Sequence, residues 1–423
     1  MFLLAAIASL AYKRGHFAGT FIPSPFQILF VVSVVLTIIY VMKEQSIKEF
    51  FKSLPRKITV AFICVFTAVI VGWVIGGVFA GIPTTYHTIL DFGTFTMSII
   101  IFFLVLFYIK DDRNYATWCL YALLIPSLSP FYYFFTHGFV GYWGVLNDGS
   151  LNGVVDPNLF SKTLLIPTLF FISTALFALM HKKWWLMSAY TLVASLYAML
   201  IFWTVSRGSI LSLLAGSFLV LVLFSARKFS WKKLAGSTLI LLTALSFGYV
   251  ITPGGSREEL RTKVANTGAL PRSAEGNVVN IVDTPNITME ELRETPRTDV
   301  RIFEWYYFLK YAFCHPLGVG PSSSSVDYQD NEGDLQLRPG NTYIQLWLWG
   351  GIVALTGFLY VIWRAFVSLW TRWRKNANEK TLAIFGALFA LSIAIIFDAS
   401  LYFYWYFILL ALAFERSDSD NDK

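Results

Sequence analysis

The chain has 423 residues, of which 56% are hydrophobic, 17% aromatic and only 14% charged. Soluble domains carry about 25% charged residues, and here apolar runs of about 20 residues, the length that crosses a hydrocarbon core, recur from end to end, which excludes a soluble protein. The formal net charge of +7 does not point to nucleic acid, because the basic residues sit in short loops between apolar runs, the distribution that orients a membrane protein.

The pattern predicts an all-α, polytopic transmembrane fold. In chain order, spans are expected over roughly 1–12 (a short one), 26–42, 58–80, 89–109, 115–135, 159–180, 184–203, 206–224, 234–252, 341–363, 381–397 and 400–414, about 11–12 in all. Residues 1–12 are too short and too weakly flanked for a secretory signal peptide. Five connections carry the basic residues: Lys43, Lys48, Lys52, Arg56 and Lys57; Lys110 and Arg113; Lys182 and Lys183; Arg227, Lys228, Lys232 and Lys233; Arg364, Arg372, Arg374, Lys375 and Lys380. Counting spans puts all five on one side, the cytoplasmic side by the positive-inside rule. Lys13 and Arg14 fall on the wrong side.

The other side receives 81–88, 136–158, a tight turn near 204–206 and the long stretch 253–340. The expected organisation is therefore transmembrane helices over 1–252, a periplasmic loop with amphipathic helices over 253–340, further transmembrane helices over 341–414 and a cytoplasmic tail over 415–423. Within the loop, Thr288 and Glu291 have capping-box spacing and Pro296 ends that segment. Thr298 can then cap an aromatic helix over about 299–313, suited to the membrane interface. No internal repeat of the kind many transporters show is apparent.

Charges at membrane depth are costly and often functional, so the ionisable residues near the outer span ends are the candidates. Arg207 ("TVSRGS") falls at the turn between two spans, Lys162 ("DPNLFSKTLL") opens a span, Arg301 lies on the aromatic helix, and Arg338 precedes the span opened by "GNTYIQLWLWGG". Each has a bland reading beside the functional one: a snorkelling arginine for Arg207, an interfacial anchor for Lys162, a local pair with Glu304 for Arg301 and a solvated loop residue for Arg338. Asp398 interrupts the last apolar stretch and reads equally as a re-entrant turn. Together the cations suit an anionic lipid headgroup or a pyrophosphate, whose oxygens match the planar fork of arginine.

Other motifs are discounted. "GVGP" at 318–321 lacks a strand–helix context and reads as a turn, and "NIT" at 286–288 is a pattern common by chance. His315, followed by Pro316, falls at a helix end. Cys64 and Cys119 lie within apolar runs and Cys314 stands alone, so neither a disulfide framework nor a metal site is indicated.

Three segments, "SRGS" at 206–209, "RIFEWYYFLKYAFCHPLGVGP" at 301–321 and "GNTYIQLWLWGGIVALTGFLY" at 340–360, with "DPN" at 156–158 upstream, resemble in order and placement the O-antigen ligase and O-antigen polymerase superfamily. The resemblance covers roughly residues 150–400. It implies a metal-independent, GT-C-like glycosyltransferase of the bacterial inner membrane, without cofactor, its active site facing the periplasm. The implied donor is a glycan on undecaprenyl pyrophosphate, and the acceptor another glycan or lipid A core. Arg207 and Arg301 match family arginines proposed to hold the pyrophosphate, with Lys162, Arg338, Asn341 and Asn158 as further binding residues.

One departure stands out. Ligases of the family usually carry His before the Asn of the third segment, and this chain has Gly340-Asn341. Glu304, His315 or Asp398 would then have to serve as base. The departure favours polymerisation of lipid-linked repeats over ligation to lipid A core. A transporter or flippase for lipid-linked glycans is the competing class, and it would need the same cations and sugar-stacking aromatics.

Overall fold

A computed structural model describes residues 1–8, 25–44, 55–79, 86–112, 114–128, 157–226, 230–265, 297–321, 326–330, 333–337, 339–398 and 403–415. Lys13, Arg14, the Thr288–Glu291 box, the 286–288 motif, Pro296, Arg338 and the tail after Glu415 lie outside these residues. Leu-, Ile-, Val- and Phe-rich runs form the helices, and clusters of Lys and Arg mark many of their ends. In order these are α1 (Phe2–Ala8), α2 (Pro25–Glu44), α3 (Arg56–Phe79), α4 (Tyr86–Asp111), α5 (Tyr115–Leu124, extended by a 3-10 turn Ile125–Leu128), α6 (Pro157–Met180), α7 (Trp184–Trp203), α8 (Arg207–Ala226), α9 (Trp231–Ile251), α10 (Gly254–Ala265), α11 (Arg297–Cys314), α12 (Thr342–Lys375), α13 (Glu379–Ala394, followed by the 3-10 turn Ile395–Phe397) and α14 (Tyr404–Leu412).

Among the described residues eight helices, α3, α4, α6, α7, α8, α9, α12 and α13, are long and apolar enough to cross a membrane. The chain is thus a polytopic, helical membrane protein. α6 and α13 form the centre, with 78% and 67% of their spans buried, whereas α9, at 28%, presents most of its surface outward to lipid. α13 packs on α6 and α8, α3 packs along α12, and α14 packs on α4. The run expected to span over 400–414 contains the nine-residue α14, with Trp405 through Leu412 all buried. At 1.5 Å per residue it reaches about 13 Å, under half of the ~30 Å hydrocarbon core. An all-apolar helix enclosed by protein has the same sequence signature as a span.

The stretch 253–340 contains α10, α11 and an element not anticipated, an antiparallel hairpin of β1 (Val326–Asp330) and β2 (Gly333–Leu337) with Val326 opposite Leu337. α11 starts at Arg297, so Thr298 sits inside its first turn and not at the cap.

The 34-residue α12 would be about 51 Å long if straight. It is broken at Gly350 and Gly351, the latter at φ +66°, where an L side chain is strained. The loop after α11 repairs the break. Val319 N–H donates to the Leu348 carbonyl at 2.7 Å, Gly320 N–H to that of Trp349 at 3.1 Å, and Ile352 N–H to that of Pro316 at 2.9 Å. Irregular backbone at membrane depth persists only where protein or water satisfies it, and here the "GVGP" turn does so. The short segment 342–349 is thereby aimed separately from the long remainder of α12.

Candidate functional site

The chain turns from α7 to α8 within three residues. Val205 adopts φ +54°, a left-handed conformation that a β-branched residue rarely takes and that costs about 1–3 kcal/mol. Thr204 Oγ1 donates to the Ile201 carbonyl at 2.7 Å, and Ser206 Oγ donates to Ser209 Oγ at 3.1 Å. This strained turn fixes Arg207 as the first residue of α8, half-buried. Ser209 Oγ lies 2.6 Å from Ser161 Oγ, which ties the start of α8 to the start of α6.

Phe397 and Asp398 form the hub of the site. Asp398 pairs with Lys162, itself 2% exposed, across 236 positions of sequence. The Asp398 carbonyl accepts from Thr342 Oγ1 at 2.7 Å, at the start of α12. Gly208 abuts Phe397 so closely that a Cβ there would lie 2.8 Å from the Phe397 Cβ. Trp305 of α11 stands 6.0 Å from Phe397, ring centroid to centroid, and its Nε1 donates to the Gly340 carbonyl at 3.4 Å. The N-termini of α6, α8 and α12 and one side of α11 therefore meet at one dipeptide. Each N-terminus carries partial positive charge, which favours an anion, although at α12 two of the N–H groups are already taken by the Asn341 side chain.

The residues selected from sequence are distributed as follows. Arg207 and Lys162 lie at the hub, the latter neutralised by Asp398. Arg301 is helical, one turn before Trp305 on α11, and Asn158 is helical in the first turn of α6; the side chains of both lie outside the described set. Glu304 is half-buried beside Trp305. Asn341 caps α12: its Oδ1 accepts from the N–H of Tyr343 at 2.9 Å and of Ile344 at 3.2 Å. His315 is not brought to the hub. It lies ten residues beyond Trp305, about 15 Å along the helix axis, with Nδ1 2.9 Å from the Tyr311 carbonyl and its ring over Tyr311. Sequence reasoning missed the pairing of Lys162 with Asp398, and the parts played by Phe397, Trp305 and Thr342. The available signal was that Lys162 and Asp398, of opposite sign, both fall near outer span ends.

Among the described residues no group of three or more His, Cys, Asp or Glu could hold a metal ion.

A helical membrane bundle with an anion-favouring cluster of helix ends and a long inserted segment defines the class of the protein. Within it, residues 192–359 match the family described as O-antigen ligase, which supports the likeness to the O-antigen ligase and polymerase superfamily. No curated protein matches the chain in sequence. The matched segment includes Arg207, Arg301, Glu304, His315 and Asn341, whereas Lys162 and Asp398 come from outside it.

Proposed function

We propose that this protein polymerises lipid-linked glycans: it transfers a glycan from undecaprenyl pyrophosphate to the glycan of a second lipid-linked unit, at the periplasmic face of the bacterial inner membrane. The observation that carries the reading is the meeting of Arg207 and the Arg301-bearing helix at Phe397, among three helix N-termini. An acceptor hydroxyl attacks the anomeric carbon, the bond from that carbon to the pyrophosphate oxygen breaks, and the hydroxyl proton passes to a base. Charge develops on the departing pyrophosphate, where fixed donors are worth about 3–4 kcal/mol each in the transition state. Glu304 is the base in this reading by elimination: Asp398 is held by Lys162 and His315 lies well down the helix. Asn158 and Arg338 are the further binding residues in this reading, whereas Lys162 is enclosed and neutralised by Asp398 and the Asn341 side chain is engaged in capping α12. The orientation is supported by Arg56, Lys57, Lys110, Lys182, Lys183 and Arg372, each at the end of its helix away from the hub.

Polymerisation is favoured over ligation by Gly340. It adopts φ +52° and its carbonyl takes the Trp305 N–H. The His that ligases carry at this position, and the base it would supply, are absent here. Purified protein in detergent, given lipid-linked glycan, should release undecaprenyl pyrophosphate and lengthen the glycan. No release of undecaprenyl pyrophosphate would point to a transporter instead. Glu304→Gln should abolish release, with His315→Asn close to wild type; the reverse order would overturn the assignment of the base. In a deletion strain, single repeat units on their normal acceptor are expected, and long polymer stranded on undecaprenyl pyrophosphate would mark a ligase.

A further inference from the structure

At the end of the bundle away from the hub, α3 and α12 separate into a groove of about 680 Å³. Its walls are Val60 and Cys64 on α3 and Val353, Thr356 and Tyr360 on α12. Arg56 and Lys57, both exposed, stand at its mouth. Neither makes an ion pair with another described residue. Residues 353, 356, 357, 360 and 364 form one stripe of α12 at helical spacing, so Arg364 follows Tyr360 by one turn on the groove side. Its Nε is buried without a hydrogen-bond partner among the described residues. Two cations thus stand at the mouth of an apolar, lipid-facing groove, with Arg364, its guanidinium 5.8 Å from the centre of the Trp363 ring, one turn beyond the lining.

The groove has the dimensions of a lipid site. From Arg56 to Cys64 it runs eight residues, about 12 Å, against a leaflet hydrocarbon depth of about 15 Å. Its cationic mouth is a membrane depth away from the hub. Arg56 precedes by 16 residues, about 24 Å, the position of Gly72, where a Cβ would touch the Trp349 carbonyl at the break in α12. A ligand held here is therefore distinct from a donor whose pyrophosphate lies at Arg207. We propose that this groove binds one anionic phospholipid of the surrounding bilayer, its phosphate on Arg56, Lys57 and Arg364 and an acyl chain along Val60, Cys64 and Val353. Basic pockets between membrane helices select anionic headgroups in this way.

The test is native mass spectrometry of the full chain in detergent with equimolar phosphatidylglycerol and phosphatidylcholine. Wild type is expected to retain phosphatidylglycerol preferentially. Arg56→Gln, Lys57→Gln and Arg364→Gln should each lower that preference about fivefold, the equivalent of one basic contact at a membrane surface, and the triple variant should lose it. Val353→Trp, on an outward-facing position, should block retention while leaving the charges in place. Lys183→Gln with Lys232→Gln, cations elsewhere on the same face, should change nothing. Equal retention of the two lipids by wild type overturns the proposal even if every variant fails to fold. So does a preference that survives both the triple change and Val353→Trp.

Discussion

Replacing Asp398 by Asn removes the charge that neutralises Lys162 while keeping the size of the side chain and the backbone carbonyl that accepts from Thr342. The Lys162 side chain is 3% exposed and that of Asp398 27%. Removing one partner of a buried pair typically costs about 3–5 kcal/mol, because the other charge stays behind without compensation. The two deletions should therefore be unequal. Asp398→Asn takes the facing carboxylate from an enclosed ammonium and should cost near the top of that range. Lys162→Met strands a carboxylate that water already reaches, and about 1–3 kcal/mol is expected. With 2–4 °C per kcal/mol in domains of 150–250 residues and less in longer chains, Asp398→Asn should lower the midpoint of thermal unfolding in detergent by about 6–10 °C. The double change Lys162→Met/Asp398→Asn removes both charges and should recover most of the loss, giving a coupling of at least about 1.5 kcal/mol in the cycle. The reasoning fails if Lys162→Met is the more damaging single change, or if the double variant is no better than Asp398→Asn.

Three further outcomes are expected. Arg207→Lys should lose nearly as much turnover as Arg207→Ala, about 10²-fold or more in undecaprenyl pyrophosphate release, because an ammonium cannot reproduce a bidentate phosphate contact; a Lys variant near wild type would remove the arginine clamp. Gly351→Ala, with φ +66° and a new Cβ 2.2 Å from the Pro316 carbonyl, should cost more than the 1–2 kcal/mol of the left-handed conformation alone, read as a fall in unfolding midpoint, whereas Gly254→Ala, in open space, should be silent. Thr342→Val, which removes a 2.7 Å bond to the Asp398 carbonyl, should cost about 1 kcal/mol of stability with a larger relative loss of turnover, and an unchanged rate would separate the start of α12 from the chemistry.

The sequence made the spans legible because each is a local property. Runs such as Trp184–Trp203 and Arg207–Ala226 announce their ends by polar residues, and two spans fit between Trp184 and Phe224 only if the chain turns near Ser206. What was not legible is set by distance or by backbone. Nothing in the surroundings of Lys162 names Asp398 as its partner. Gly350 and Gly351 sit inside an uninterrupted apolar run, so hydropathy reads one straight span where the chain is broken. Trp405 to Leu412 is as apolar as any span, and only its short length and enclosure distinguish it. Of the candidate site, the segments bearing Arg207, Arg301 and Asn341 could be named in advance; the dipeptide around which they gather could not.

The repair of α12 by the 316–320 turn works entirely through main-chain groups, and this limits what substitution can alter. A joint made by side chains constrains what they are, whereas this one constrains mainly that some be absent: a Cβ at Gly76 would meet the Val319 carbonyl at 2.0 Å and one at Gly318 the Gly351 nitrogen at 2.5 Å. The mounting and what it carries are thus separable under selection, so side chains of the inserted segment can change while α11 stays anchored to the bundle through Pro316, Val319 and Gly320.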